Sequence, residues 1–222
     1  MPKKVALSAY QRWIVLAAGL TFIALAAGAC APIRGVLPLQ VQVPPNPAAG
    51  RAVKFAEVSD RRVFQVNPSD SSVHSLRDDK IADTALTARA IARKYAGRPA
   101  GDVILPEGRT VADLVREAVT KAFRESGYQV LASGDVGYDG VIPVAIEVVR
   151  FWAWEDPASS KANLKFEGEL RITGDVGSFK TGEIVRASAQ VSRIVTSTPA
   201  WREVFALGLN ELVKNTGATL RR

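Results

Sequence analysis

The chain has 222 residues, 29 Lys and Arg against 22 Asp and Glu, a formal net charge of +7, 47% hydrophobic residues, one Cys and one His. A lone cysteine forms no internal disulfide, and one Cys with one His falls short of a structural zinc set. No dense basic stripe interleaved with stacking aromatics occurs, so the composition argues against nucleic acid as a partner.

The first thirty residues carry the strongest signal. Lys3, Lys4 and Arg12 precede an apolar run from Trp13 to Leu25, which gives way to Ala26, Ala27, Gly28 and Ala29 and then to Cys30. A basic start, an apolar middle and a small-residue end predict a secretory signal peptide over residues 1–29. Ala27-Gly28-Ala29-Cys30 resembles a lipobox, with Ala where Leu is commonest, and places a thiol where a diacylglycerol is attached. The competing reading is an uncleaved anchor, since Trp13 to Ile33 carries no charge over about 20 residues, just enough to span a bilayer. The scarcity of large apolar residues near Cys30 favours cleavage. Removing residues 1–29 lowers the net charge to +4. The residue after Cys30 is Ala31, which resembles the sorting signal for the outer membrane. The expectation is therefore a chain held to the lipid bilayer through diacylated Cys30, at the outer membrane, with its domain in the periplasm.

Residues 30–50 hold five prolines and predict an extended tether of roughly 20 residues, reaching about 70 Å at most. Within it Leu37, Leu39, Val41 and Val43 alternate with polar residues or proline, as in an edge strand. Residues 51–214 are expected to form a single domain, with a frayed tail over 215–222. Ala52 to Val58 predicts a strand closed by Asp60-Arg61-Arg62. Residues 66–79 read as a loop, Ile81 to Tyr95 as a helix, and Val103 to Leu105 as a short strand. Thr110 with Asp113 forms a capping box. Val111, Leu114, Val115, Ala118, Val119, Ala122 and Phe123 make an apolar stripe at helical spacing, and Gly127 is placed to end that helix. Tyr128 to Leu131 begins a strand. Three longer strands follow, and the first sets Val144, Ile146 and Val148 on one face with Trp152 and Trp154. Thr198 as N-cap and Pro199 at the first position open a final helix. Strands and helices fall in blocks, which predicts an α+β fold: a mostly antiparallel sheet with two or three helices packed mainly on one face.

The order of elements resembles the YajG-type family of uncharacterised bacterial lipoproteins. The resemblance runs through Val36-Leu37-Pro38-Leu39-Gln40, Pro44-Pro45-Asn46-Pro47, Val58-Ser59-Asp60-Arg61-Arg62 with its Asp-x-Arg spacing, and Ser126-Gly127-Tyr128-Gln129-Val130. It covers most of the chain after Cys30, and the stretch near 80–105 departs from it. It implies an outer-membrane lipoprotein and supplies no reaction and no ligand.

Candidate chemistry is sparse. His74 sits in a polar loop beside Ser71, Ser72 and Ser75, with Asp78 and Asp79 near, but no nucleophile-elbow pattern accompanies them, and a solvated loop histidine is expected. Asp135 and Asp139 bracket a Gly-rich turn without calcium-loop spacing. Asp60 with Arg61 and Arg62 at a strand end suits either a tie between loop and sheet or a partner or ligand site. Trp152 and Trp154 suit stacking on sugar rings or anchoring a partner, and equally suit capping the core near Trp201. The sequence implies no cofactor and no metal. The function expected is that of a non-enzymatic accessory or adaptor binding an envelope protein or peptidoglycan. The alternatives are a cell-wall glycan binder or hydrolase using Trp152 and Trp154 beside Glu155 and Asp156, and an auxiliary lipoprotein of an envelope transport system.

Overall fold

The computed structural model describes residues 35–95, 99–156 and 161–222; Cys30 and the 1–29 segment lie outside the described residues. Eight strands build one sheet: β1 (Gly35–Val36), β2 (Ala52–Asp60), β3 (Ala90–Tyr95), β4 (Pro99–Ile104), β5 (Gln129–Leu131), β6 (Ile142–Glu155), β7 (Ala162–Gly174) and β8 (Glu183–Arg193). The helices are α1 (Thr84–Thr87), α2 (Val111–Glu125) and α3 (Thr198–Leu220).

The 14-residue β6 is the axis of the sheet. Along one edge it pairs with β7 antiparallel from Val144↔Gly174 to Glu155↔Leu164, and β8 closes that side, also antiparallel. Two strands share the other edge. Beta-strand β2 runs parallel to the first half of β6, from Val53↔Ile142 to Asp60↔Val148, and β3 runs parallel to the second half at Ala92↔Ala153 and Arg93↔Trp154. Beyond β2 lies β5, and beyond β3 lie β4 and β1. The sheet is thus mixed. Four of its seven pairings are parallel, which corrects the expectation of a mostly antiparallel sheet. Antiparallel order is confined to the meander β6–β7–β8 and the hairpin β3–β4.

A β-bulge shifts the β6–β7 register between Val148 and Arg150. One extra residue inverts the alternation of side chains. Before the bulge Val144, Ile146 and Val148 face the main core; after it Phe151 and Ala153 take over that face. Trp152 and Trp154 turn to the opposite side, into a second cluster with Leu76, Leu86, Ala90 and Ile104. The expectation that both tryptophans share a face with Val144, Ile146 and Val148 is therefore overturned by a single inserted residue.

Helices α2 and α3 cover the main face. The capping box of α2 is formed: Thr110 Oγ1 accepts from Asp113 N at 3.2 Å and Asp113 Oδ2 accepts from Thr110 N at 2.9 Å. Gly127, at φ 88°, ends the helix in the left-handed region. Helix α3 lies close on the sheet, because a Cβ on Gly208 would stand 2.1 Å from Phe166 Cδ1. Phe166 in turn meets Phe151 edge-on at 5.1 Å and Phe205 at 5.5 Å. The N-cap of α3 is Ser197, one residue before the predicted Thr198. The tail expected to fray is the last two turns of α3: Thr216 and Leu220 are buried, and Leu220 packs over Gly177.

Two further expectations change. Residues 81–95 are not one helix but the end of a 3-10 turn (Arg77–Ala82), then α1 and β3. The Ala-rich pattern suits a helix locally, but Ala90 to Tyr95 fills the open edge of β6, where pairing on both sides outweighs propensity. Residues 35–47 run extended yet are part of the domain. Leu37 and Leu39 are buried in the main core, Val41 N donates to Glu117 Oε2, Pro44 O accepts from Arg124 Nη1 at 2.7 Å, and the Asn46 side chain bonds both backbone groups of Val130.

Candidate functional site

The most elaborate polar arrangement begins where β2 leaves β6. Arg61 N donates to Val148 O at 2.9 Å, the last backbone bond between the two strands. Strand β3 joins β6 only at Ala153, so the stretch between has no strand beside it. Arg62 fills that gap. Its Nε and Nη2 donate to Asp60 Oδ1 and Oδ2 at 2.9 and 2.7 Å, its Nη1 to Ala90 O at 2.6 Å and Phe151 O at 3.2 Å, and its Nη2 to Thr87 O at 2.8 Å. All five guanidinium donors are engaged and the side chain is 0% exposed. The paired carboxylate offsets burial of the charge. The sequence drew attention to Asp60 with Arg61 and Arg62. The structure brings Arg62 to Asp60 and leaves Arg61 exposed. A groove of about 310 Å³ lies beside this pair, lined by Asp60, Arg62, Phe64, Ile81, Thr84 and Thr87. Arg62 has no donor left for a ligand there, so the pair ties the loop to the sheet.

Behind the groove, His74 corrects the expectation of a solvated histidine. It is 7% exposed and packs against Phe64 at 5.4 Å and Trp152 at 5.3 Å. Its Nδ1 lies 3.2 Å from Val63 O, which only accepts, so Nδ1 carries the proton. Burial, reinforced by the Arg62 and Arg150 charges, lowers its pKa from 6.5 to about 3, so the imidazole is neutral at pH 7. The surrounding serines serve structure: Ser71 O accepts from Trp152 Nε1 at 3.2 Å, Ser72 O from Arg150 Nη2 at 2.8 Å, and Ser75 Oγ from Arg93 Nη1 at 2.9 Å. The side chains of Asp78 and Asp79 lie outside what the structure describes.

Trp152 is 0% exposed and Trp154 8%. Neither indole presents a free face for sugar stacking, which corrects the expectation of a surface made by this pair. The acidic residues beside them are also engaged: Glu155 Oε1 accepts from Thr196 Oγ1 at 2.7 Å, and Asp156 pairs with Lys165 at 2.7 Å. Asp135 is occupied within its own turn, Oδ2 accepting from Ala132 N at 2.7 Å. Among the described residues no group of three or more His, Cys, Asp or Glu is placed to hold a metal ion.

The remaining candidate surface is the outer face of β6–β8 and the free edge of β8. The face is laced with ion pairs, Arg150–Glu167 at 3.0 Å, Arg186–Glu169 at 2.8 Å and Arg171–Glu147 at 3.6 Å, and a groove of about 340 Å³ runs over it toward Glu211 and Asn215. On the free edge, Asn215 Nδ2 caps Arg186 O at 2.8 Å and Arg193 Nη1 caps Ser192 O at 2.9 Å. Residues two apart in a strand share an edge, so the backbone of Ser188 and Gln190 faces outward between the two caps.

No family model and no curated protein matches the chain. Among solved structures it is similar to protein XCC0632 from Xanthomonas campestris, a DUF330 protein, at 18% identity over 84% of this chain and 95% of that one, with a TM-score of 0.45. It is also similar to an uncharacterized protein at 10% identity over 85% and 98% of the two chains, with a TM-score of 0.40. Both values are too low to carry a role from either protein to this one.

Proposed function

We propose that the chain is a lipid-anchored accessory protein of the bacterial cell envelope, diacylated at Cys30 after removal of residues 1–29 and held at the outer membrane with its domain in the periplasm. In this reading, which deepens the YajG-type resemblance, it acts by binding an envelope protein or peptidoglycan and not by catalysis. One observation supports it above the others. Lys3, Lys4 and Arg12, the apolar run from Trp13 to Leu25 and the small residues Ala26, Ala27, Gly28 and Ala29 lead directly to Cys30, the one cysteine of the chain. The charged outer face of β7–β8 and the uncapped edge at Ser188 and Gln190 supply a surface for a protein partner of complementary polarity.

The anchoring is tested by the mass of the N-terminal peptide and by fractionation. The wild type is expected in membranes with a diacylated N-terminal Cys30, and Cys30→Ser without the lipid mass and with the 1–29 segment still attached. An unmodified Cys30, or a 1–29 segment retained in the wild type, refutes it. The adaptor role is tested with a photo-crosslinking residue at Gln190, compared with one at Val136. A discrete adduct from 190 alone supports it, and its identity separates a transport assembly from other envelope partners. Equal or absent adducts refute it.

A further inference from the structure

We infer that the end of the domain where β6 finishes lies on the membrane, with Ile194 and Val195 dipping into the lipid surface. This rests on the lipid at Cys30 proposed above and adds how the domain is oriented.

The first ground is chain length. Only four residues separate Cys30 from Gly35, which already pairs with Val103. Five Cα steps reach at most about 18 Å, so a lipid on Cys30 leaves the domain no room to stand away from the bilayer. The reach of about 70 Å expected from a free segment over 30–50 shrinks accordingly.

The second ground is direction. Gly35 pairs with Val103, Val103 with Ala92, and Ala92 with Ala153, so the chain joins the sheet at the level of the last residues of β6. Strand β1 is parallel to β4, β4 is antiparallel to β3, and β3 is parallel to β6. Beta-strand β1 therefore runs away from the finishing end of β6, and its first residue faces that end.

The third ground is what that end displays. Arg193 pairs with Ala162 beyond the level of Glu155↔Leu164, so the loop that follows β8 projects past the same end. That loop holds two adjacent large aliphatic side chains, Ile194 at 90% and Val195 at 67% exposure. Five inter-strand steps of about 4.8 Å place it about 24 Å across the sheet from β1, so lipid and loop form two separated supports. Beside it Arg202, exposed near the start of α3, suits an anionic headgroup, while Arg193 is ion-paired with Glu203. Two aliphatic side chains alone bind a bilayer weakly, but a lipid that already holds the domain at the surface raises their effective concentration. The opposite end offers an internal contrast: Val136, fully exposed in the loop before β6, stands there as a single apolar residue.

The test uses the full chain, processed and lipidated in an exporting bacterium. Ile194→Cys and Val136→Cys carry an environment-sensitive fluorophore, since alkylated Cys30 does not react. Val195→Cys serves as a second site should Ile194→Cys misfold. The proteins are placed in phosphatidylethanolamine–phosphatidylglycerol vesicles, and the mass of the N-terminal peptide is read in parallel. The expected result is a blue-shifted, several-fold brighter probe at 194, quenched by shallow nitroxide lipids, with the probe at 136 unchanged from water. A diacylated Cys30 with the 194 probe in water overturns the orientation and leaves the anchoring intact. An unmodified Cys30 overturns both. A 194 probe that responds to protein concentration and not to vesicles assigns the loop to a second copy of the chain and overturns the lipid contact.

Discussion

The two faces of the sheet are built by different means. The helix face is mostly apolar: Phe151, Phe166 and a set of aliphatics of the sheet bury against Phe123 of α2 and Phe205 of α3, and close approach at Gly208 sets the spacing. The opposite face carries a small cluster around Trp152 and Trp154, roofed by the segment from Phe64 to Leu86. Of the five polar residues buried among the described residues, Arg62, His74, Ser75, Asp102 and Thr216, the first four belong to this roof or its supports. One face is held by area, which is non-directional and tolerant; the other has too little area and is held by directed bonds, which fail all at once when one partner is removed.

Arg62→Ala is the largest test of that contrast. It leaves the Asp60 carboxylate and the carbonyls of Thr87, Ala90 and Phe151 without their donor, and is expected to cost about 3–5 kcal/mol. Hydrogen exchange should rise across residues 61–89 well before it rises in α2 and α3; uniform exchange would show that the two faces unfold as one. Arg61→Ala, one residue away and exposed, should change stability by less than about 0.5 kcal/mol. On the helix face Gly208→Ala drives a methyl into Phe166, wedged between Phe151 and Phe205, and should cost about 3 kcal/mol, the upper end for overpacking. Urea denaturation measures both.

His74 sharpens the comparison through pH. Its folded pKa, about 3, lies below its ordinary 6.5, so the unfolded chain binds the proton more readily. The stability gained by keeping it neutral is complete above about pH 6.5 and is lost as pH falls toward 3, with about 2 kcal/mol gone between about pH 7 and pH 5. His74→Phe should flatten that part of the urea-midpoint profile. The smallest effect belongs to the helix face: Thr110→Ala removes one side of the capping box and should cost about 1 kcal/mol, read as a lowered melting temperature.

What could be read from the sequence follows the same division. Helix α2 was legible to its caps because Thr110, Asp113 and Gly127 act within one turn of where they stand. Strands β2, β7 and β8 were legible because alternation is local too. The second face was not. The bulge after Val148 leaves no mark in composition, yet it moves Trp152 and Trp154 to the other side. Ala90 to Tyr95 carries a helical pattern and becomes a strand because β6 offers it an open edge. His74, flanked by serines, reads as a surface residue until Phe64 and Trp152 close over it. Arg62 could be singled out from Arg61 only by knowing that β2 and β3 leave a gap between them.

The threading of residues 35–47 has a mechanical consequence. Beta-strand β1 lies alongside β4, with Leu37 N bonded to Ile104 O, and the chain beyond it is fastened at Glu117, Arg124 and Val130. A pull on the start of the domain acts along β1, so its ladder bonds are sheared together instead of being peeled one by one, and the fastenings behind them come under tension only after the ladder gives. Force arriving at Gly35 thereby passes first to β4, whose Ile104 belongs to the cluster around Trp152, and only afterwards to α2.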